Sequence, residues 1–185
     1  MLPEISLNIL DIAQNSISAK ASLVQIMVET DTVSHRLRVV IEDDGKGMSE
    51  EAVAAVTDPF YTTRTTRSVG LGIPFLKQEA ECTGGEFSIC SEPGRGTVVS
   101  AVFCTDHIDC MPLGDVNATI LSLVTMNSYP DFLYRRMVDG RSFSLDTREM
   151  REILGNIPFD QPEVYTFLRD YLEENETDVK ASSTD

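Results

Sequence analysis

The sequence predicts a two-layer α/β sandwich, a mixed and mostly antiparallel sheet with helices on one face, followed by a smaller C-terminal α+β appendage. Three observations lead there. Helical and strand periodicities alternate through residues 1–104, polar turns join neighbouring strands into pairs, and a new helix–hairpin–helix series starts after Cys104. The boundary is therefore set at 1–104 and 105–185. With 185 residues, 42% of them apolar, the chain has material for a buried core.

Each element has a local reason. Over residues 4–20, Ile5, Leu7, Ile9, Leu10, Ile12 and Ile17 surround a stripe of Asn8, Asp11, Asn15 and Ser18 at helical spacing. A helix wrapped in aliphatic side chains is buried. Its polar stripe is then either a satisfied internal network or the wall of a ligand cavity. Leu23–Val28 and Leu37–Ile41 read as a hairpin about Asp31–Ser34, and Ser49 caps a short helix reaching Val56. Residues 57–70 are rich in Thr and Arg, and a helix follows over Ile73–Cys82. Strands Glu86–Ser91 and Thr97–Phe103 flank Pro93-Gly94-Arg95-Gly96. In the appendage a helix covers 115–127, and Phe132–Val138 and Ser142–Leu145 pair about Asp139-Gly140, a tight-turn dipeptide. Asp146 caps Thr147–Leu154, a last helix covers Pro162–Glu174, and the acidic residues beyond read as a solvated, frayed end.

Charge and composition exclude several functions. A net charge of −15 is wrong for a nucleic-acid surface, which needs clustered Lys and Arg. No apolar run approaches the roughly 20 residues that span a bilayer, and no basic-flanked leader opens the chain, so the expected location is cytoplasmic. Cys82, Cys90, Cys104 and Cys110 form no C-x-x-C pair and read as reduced thiols rather than a zinc site or disulfide framework.

Five constellations can carry chemistry. Asp11 and Asn15, one helical turn apart, share a space in which the Asn amide oxygen suits Mg²⁺ and the Asp can orient or deprotonate water. Asp43 ends an apolar strand, with Gly45 and Gly47 after it; a buried carboxylate needs donors, and an exocyclic base amine is one. Asp58-Pro59-Phe60-Tyr61-Thr62-Thr63-Arg64-Thr65-Thr66-Arg67 offers hydroxyls and guanidinium forks to phosphate oxygens. Gly70-Leu71-Gly72 opens a helix, whose free N–H groups make an anion site. Gly94-Arg95-Gly96-Thr97 is the fifth, and is also a hairpin turn. Singly, each has an ordinary reading as a turn, a polar loop or a local hydrogen-bond pair.

In order and spacing the series resembles the ATP-binding domain of the GHKL superfamily (gyrase, Hsp90 chaperones, histidine kinases and MutL), the Bergerat fold, and its motif style is closest to histidine kinases. The resemblance covers residues 4–104. It implies Asn15 as Mg²⁺ ligand, Asp43 as the adenine-binding acid, and Gly45, Gly47, Met48, Phe60, Thr63, Arg64, Gly70, Leu71, Gly72 and Thr97 as further ATP-binding positions. At Asp11 the ATP-hydrolysing relatives have Glu and histidine kinases usually Asn, so Asp11 is the candidate general base or water-positioning group. Neither His35 nor His107 lies on a helical hairpin of the phosphoacceptor type, and both read as surface or loop histidines; the expectation is something other than a complete sensor kinase. Ser18 stands where such kinases often have a basic residue, and neither Lys20 nor Arg67 has an assigned phosphate role. Three functions follow from the resemblance, each with ATP and Mg²⁺. They are a stand-alone kinase acting on a partner protein, as the anti-sigma-factor serine kinases are built, a slow ATPase switch, and a nucleotide-sensing adaptor. The appendage is expected either to extend the fold or to form a homodimer surface.

Overall fold

The structure is a computed structural model and describes residues 4–58 and 71–181. Its elements are α1 (Ile5–Ser18), β1 (Leu23–Asp31), β2 (Arg36–Asp43), α2 (Glu50–Thr57), α3 (Gly72–Cys82), β3 (Glu86–Glu92), β4 (Gly96–Cys104), α4 (Val116–Met126), β5 (Asp131–Val138), β6 (Arg141–Asp146), α5 (Thr147–Leu154) and α6 (Pro162–Lys180).

Alternation along the strands selects one face for the core. Val24, Ile26 and Val28 of β1 stand opposite Asp43, Ile41 and Val39 of β2, and the same row continues through Thr97, Val99 and Ala101 of β4. A period of two keeps these residues on one side. Nearly all are buried, and α1 lies above them with Ile5, Ile9 and Ile12 at most 2% exposed. Side chains of this size each contribute about 1.5–3 kcal/mol when fully buried. Helix α1 is flanked by α3 on one side and α4 on the other, and α6 packs beyond α4.

The sheet has six strands in the order β3-β4-β2-β1-β5-β6. Neighbours are antiparallel except β1 and β5, which run parallel with Val24 opposite Phe132 and Ile26 opposite Tyr134. The hairpin β5–β6 therefore continues the same sheet. A parallel pair needs a crossover, and the chain makes it through α4 on the helical face.

The expected frayed end is a helix. α6 runs to Lys180, with Leu168, Leu172 and Val179 buried. Spacings of four and seven residues put Val179 on the face already occupied by Leu168 and Leu172. One turn before Lys180, Glu176 takes Arg136 of β5 at 3.2 Å and Lys180 itself at 2.8 Å. Acidic composition alone could not reveal that partner.

Candidate nucleotide site

The end of β2 is clamped from two sides. Lys46 N–H donates to Ala19 O at 3.0 Å, and Gly94 N–H donates to Lys46 O at 2.7 Å, so residues 43–48 are held between the end of α1 and the β3–β4 turn. Close backbone approach makes glycine necessary here. A Cβ on Gly47, at φ +64°, would lie 1.9 Å from Glu92 O, and one on Gly96, at φ +104°, would lie 1.9 Å from Asp43 O. The near neighbours of both glycines are the protein's own carbonyls.

This clamp shapes a cavity of about 200 Å³ lined by Ile12, Asn15, Ser16, Ile41, Asp43, Lys46, Gly47, Met48, Ile73, Thr97 and Val99 among others. Asp43 is its buried acid. One carboxylate oxygen accepts from Ser16 Oγ at 2.6 Å and the other from Gly45 N–H at 2.9 Å. Each oxygen has two acceptor sites, so capacity remains for a donor from the cavity. Met48 N–H is fixed by Ser91 Oγ at 2.8 Å, and Ser91 Oγ lies 2.8 Å from Thr97 Oγ1 and donates to Gly96 O at 3.0 Å.

The polar stripe of α1 divides. Asn15 lines the cavity, and its amide nitrogen is buried without a hydrogen-bond partner among the described residues. Such a group costs about 1–3 kcal/mol, and turning the amide over presents an oxygen at the same place. Its donor type suits the cation that the resemblance implies, because Mg²⁺ takes neutral oxygen ligands. Asp11 lines a neighbouring recess of about 450 Å³ with Leu7, Leu10, Gln14, Leu71, Gly72 and Phe75. A Cβ on Gly72 would stand 2.3 Å from an Asp11 carboxylate oxygen, so glycine lets that carboxylate reach the start of α3. Leu71 N-caps α3 without a side-chain hydrogen bond, so among the described residues no side chain caps the N–H groups of Gly72 and Ile73. Asn8 is fully buried with both amide atoms partnerless, and Ser18 donates to Gln14 O at 2.9 Å. A single satisfied network along the stripe is therefore absent among the described residues.

The predicted Phe60, Thr63, Arg64 and Gly70, together with Arg67, lie outside the described residues. Lys20 sits exposed at φ 58° beyond α1. Two cavity groups, Ser16 and Lys46, escaped the sequence reading, as did Ser91, which holds Met48 and Thr97 from behind the lining. Ser16 and Ser91 are small polar residues with no pattern of their own, whereas Lys46, inside the Asp43–Gly47 run, could have been noticed. Beside Asp43, Asp44 turns outward and accepts from Ser22 Oγ, from Ser22 N–H at 2.7 Å and from Leu23 N–H at 3.0 Å. Burial pushes its carboxyl up, but those donors outweigh burial and hold it below the ordinary carboxylate value.

Residues 2–107 match the profile of the histidine kinase-, DNA gyrase B- and HSP90-like ATPase family. Sporulation kinase C of Bacillus subtilis is 29% identical over 93 residues, which is 50% of this chain and 22% of that protein. The C4-dicarboxylate transport sensor protein DctB of Pseudomonas aeruginosa is 30% identical over 93 residues, 50% of this chain and 15% of that one. The chain thus spans less than a quarter of these curated relatives. Among solved structures, the N-terminal domain of a DNA repair protein superposes with a TM-score of 0.56 at 12% identity, covering 97% of this chain and 57% of the other. That likeness is one of fold, and it extends well past residue 107. A family match over more than half of the chain, on a mixed six-stranded sheet whose Asp43 cavity lies under α1, places this protein in the histidine kinase-, DNA gyrase B- and HSP90-like ATPase family, with the ATP-binding domain typical of histidine kinases.

Proposed function

We propose that residues 4–104 bind Mg-ATP in the cavity under α1, and that the protein passes the γ-phosphoryl group to a partner protein in cytoplasmic signalling. The observation that carries this reading is Asp43, buried, held by two donors among the described residues and facing a hollow with apolar walls from Ile41, Ile73 and Val99. In this reading the carboxylate accepts the adenine amine, Thr97 and the Met48 backbone support the floor, and Asn15 holds Mg²⁺. The ion supplies charge neutralisation at the phosphates. N–H groups without a side-chain cap at the start of α3, near Gly72, face the phosphate side, and Phe60, Thr63, Arg64 and Gly70 are assigned to the same end. Phosphoryl transfer needs mostly positioning and charge compensation, so the acceptor hydroxyl or imidazole comes from the partner.

A second reading, a slow ATPase switch, is favoured by one observation. The Asp11 carboxylate lines the recess next to Asn15, against Gly72 at the start of α3, where an ionisable group can act on water.

Calorimetry with Mg-ATP tests the binding. Asp43→Ala is expected to weaken affinity about tenfold to a hundredfold, the value of a charged hydrogen-bond partner; unchanged affinity, or no heat with the native chain, overturns the proposal. Labelled phosphate appearing on a co-purified protein establishes transfer. Phosphate release lost in Asp11→Asn establishes the switch, and nucleotide binding with neither outcome leaves an adaptor.

A further inference from the structure

Helix α5 carries an apolar stripe that the fold covers only in part, Met150 and Leu154 packing on the core while Ile153 stands clear. Met150, Ile153 and Leu154 share one side at helical spacing, yet Thr147 is the residue of α5 that is buried, and Ile153 is 84% exposed. Across from them stand Phe167, 57% exposed, and Tyr171 of α6, with their rings stacked at 6.3 Å. Between the two helices runs a groove of about 360 Å³ lined by Leu145 of β6 and these five side chains. Apolar residues scattered singly over a surface are ordinary, but a contiguous groove of them marks an interaction site.

The charge around the groove is one-sided. Glu149 stands in its wall. Glu163 and Glu174 lie on the Phe167–Tyr171 side of α6 by spacings of four and three, and Glu152 precedes Ile153. Three cations of α5 and α6 are engaged within the chain. Arg148 pairs with Asp146 at 2.6 Å, Arg151 with Asp131 at 2.9 Å and Arg169 with Asp170 at 2.7 Å. The uncompensated charge is therefore negative. A second copy, itself carrying a net −15, would bring like charges together at this groove.

The geometry points to the groove between α5 and α6 as a docking site for an amphipathic helix of a partner protein, apolar on one side and flanked by Lys and Arg. Helix α5, with eight residues, spans about 12 Å, room for about two turns of a docked helix with anchors at helical spacing. Acidic rims steer a basic ligand and exclude an acidic one. The site lies outside residues 4–104 and does not depend on the nucleotide reading.

The test uses the full chain and three fluorescein-labelled synthetic peptides. One has leucines at i, i+3, i+4 and i+7 among lysines, a second replaces the lysines by glutamates, and a third has the lysine peptide's composition with the leucines scrambled. Fluorescence anisotropy is expected to show binding of the first peptide alone. Ile153→Glu and Phe167→Glu, both at exposed positions, are each expected to weaken it about tenfold or more, as loss of an interface anchor does. Equal binding of the scrambled or acidic peptide overturns the proposal, as does unchanged affinity in both variants. A concentration-dependent dimer of the native chain that Ile153→Glu abolishes also overturns it, by assigning the groove to a second copy.

Discussion

Asp43 and Arg136 stand on the same helix-facing side of one sheet and are held in opposite ways. Arg136, 2% exposed, spends its hydrogens inside the chain, on Glu176 through Nε and on Val28 O, Thr30 Oγ1 and Met137 O through Nη1. It ties β1, β5 and α6 together. Asp43, 9% exposed, has two donors, Ser16 and Gly45, and acceptor capacity left towards a cavity. A buried charge with many internal partners braces the fold. One with few keeps capacity for a ligand; Arg136 also lines a hollow, so it is the count of internal partners that separates the two.

Replacing Arg136 is the largest way to break this contrast. Arg136→Met leaves Glu176, 16% exposed, with Lys180 at 2.8 Å as its remaining cation, so the expected loss lies at or below the lower end of the about 3–5 kcal/mol that breaking a buried pair costs. Urea unfolding should show that loss, while Mg-ATP affinity of the folded variant stays at the native value. Adding Glu176→Leu should recover part of the stability, since an apolar replacement removes a half-compensated carboxylate from a site that Arg136 no longer neutralises. If Arg136→Met costs nucleotide affinity as heavily as Asp43→Ala, the division between brace and ligand group fails.

Ser16→Ala probes the other side more gently. It removes the 2.6 Å donor to Asp43 and leaves Gly45 in place. The expected cost is about 1 kcal/mol in unfolding and about a fivefold weaker Kd for Mg-ATP by calorimetry. A loss of stability with no change in affinity would make Ser16 part of the fold alone.

How much of this was legible beforehand follows from the range of each interaction. The six helices and six strands of the described residues lie where periodicity and turn residues put them, because those signals are local. The Asp139-Gly140 turn and the Asp146 cap were readable for the same reason, and Asp146 does accept from Arg148 N–H at 2.9 Å. Parallel pairing of β5 with β1 was not readable, since strand pattern does not say which edge a distant hairpin will join. Nor was the last stretch of α6, whose brace on Arg136 spans 40 residues of sequence. In the site, the motifs and the family resemblance pointed to Asn15, Asp43, Gly47, Met48 and Thr97, which line one cavity, and to Asp11 and Gly72, which line the next. Ser16 stayed hidden because a lone hydroxyl on a helix has no signature.

Asp44 sharpens the contrast at the smallest scale, because it adjoins Asp43 in sequence and faces the other way. Its three donors come from Ser22 and Leu23, so it latches the end of β2 to the start of β1 and should behave as a brace. Those donors hold its folded pKa below the unfolded value despite the upward push of burial. A carboxylate depressed in this way contributes stability above the unfolded value, near about 4, and loses it as pH falls through the folded value. The group is largely exposed and solvent-screened, so the contribution is expected to be below about 1 kcal/mol. Urea midpoints of native protein and Asp44→Asn should then differ slightly at neutral pH and converge as the pH drops below about 4. Nucleotide affinity should not change at neutral pH. A gap that persists in acid would mean that Asp44 acts through geometry rather than charge, and a gap that widens would reverse the sign assigned to it.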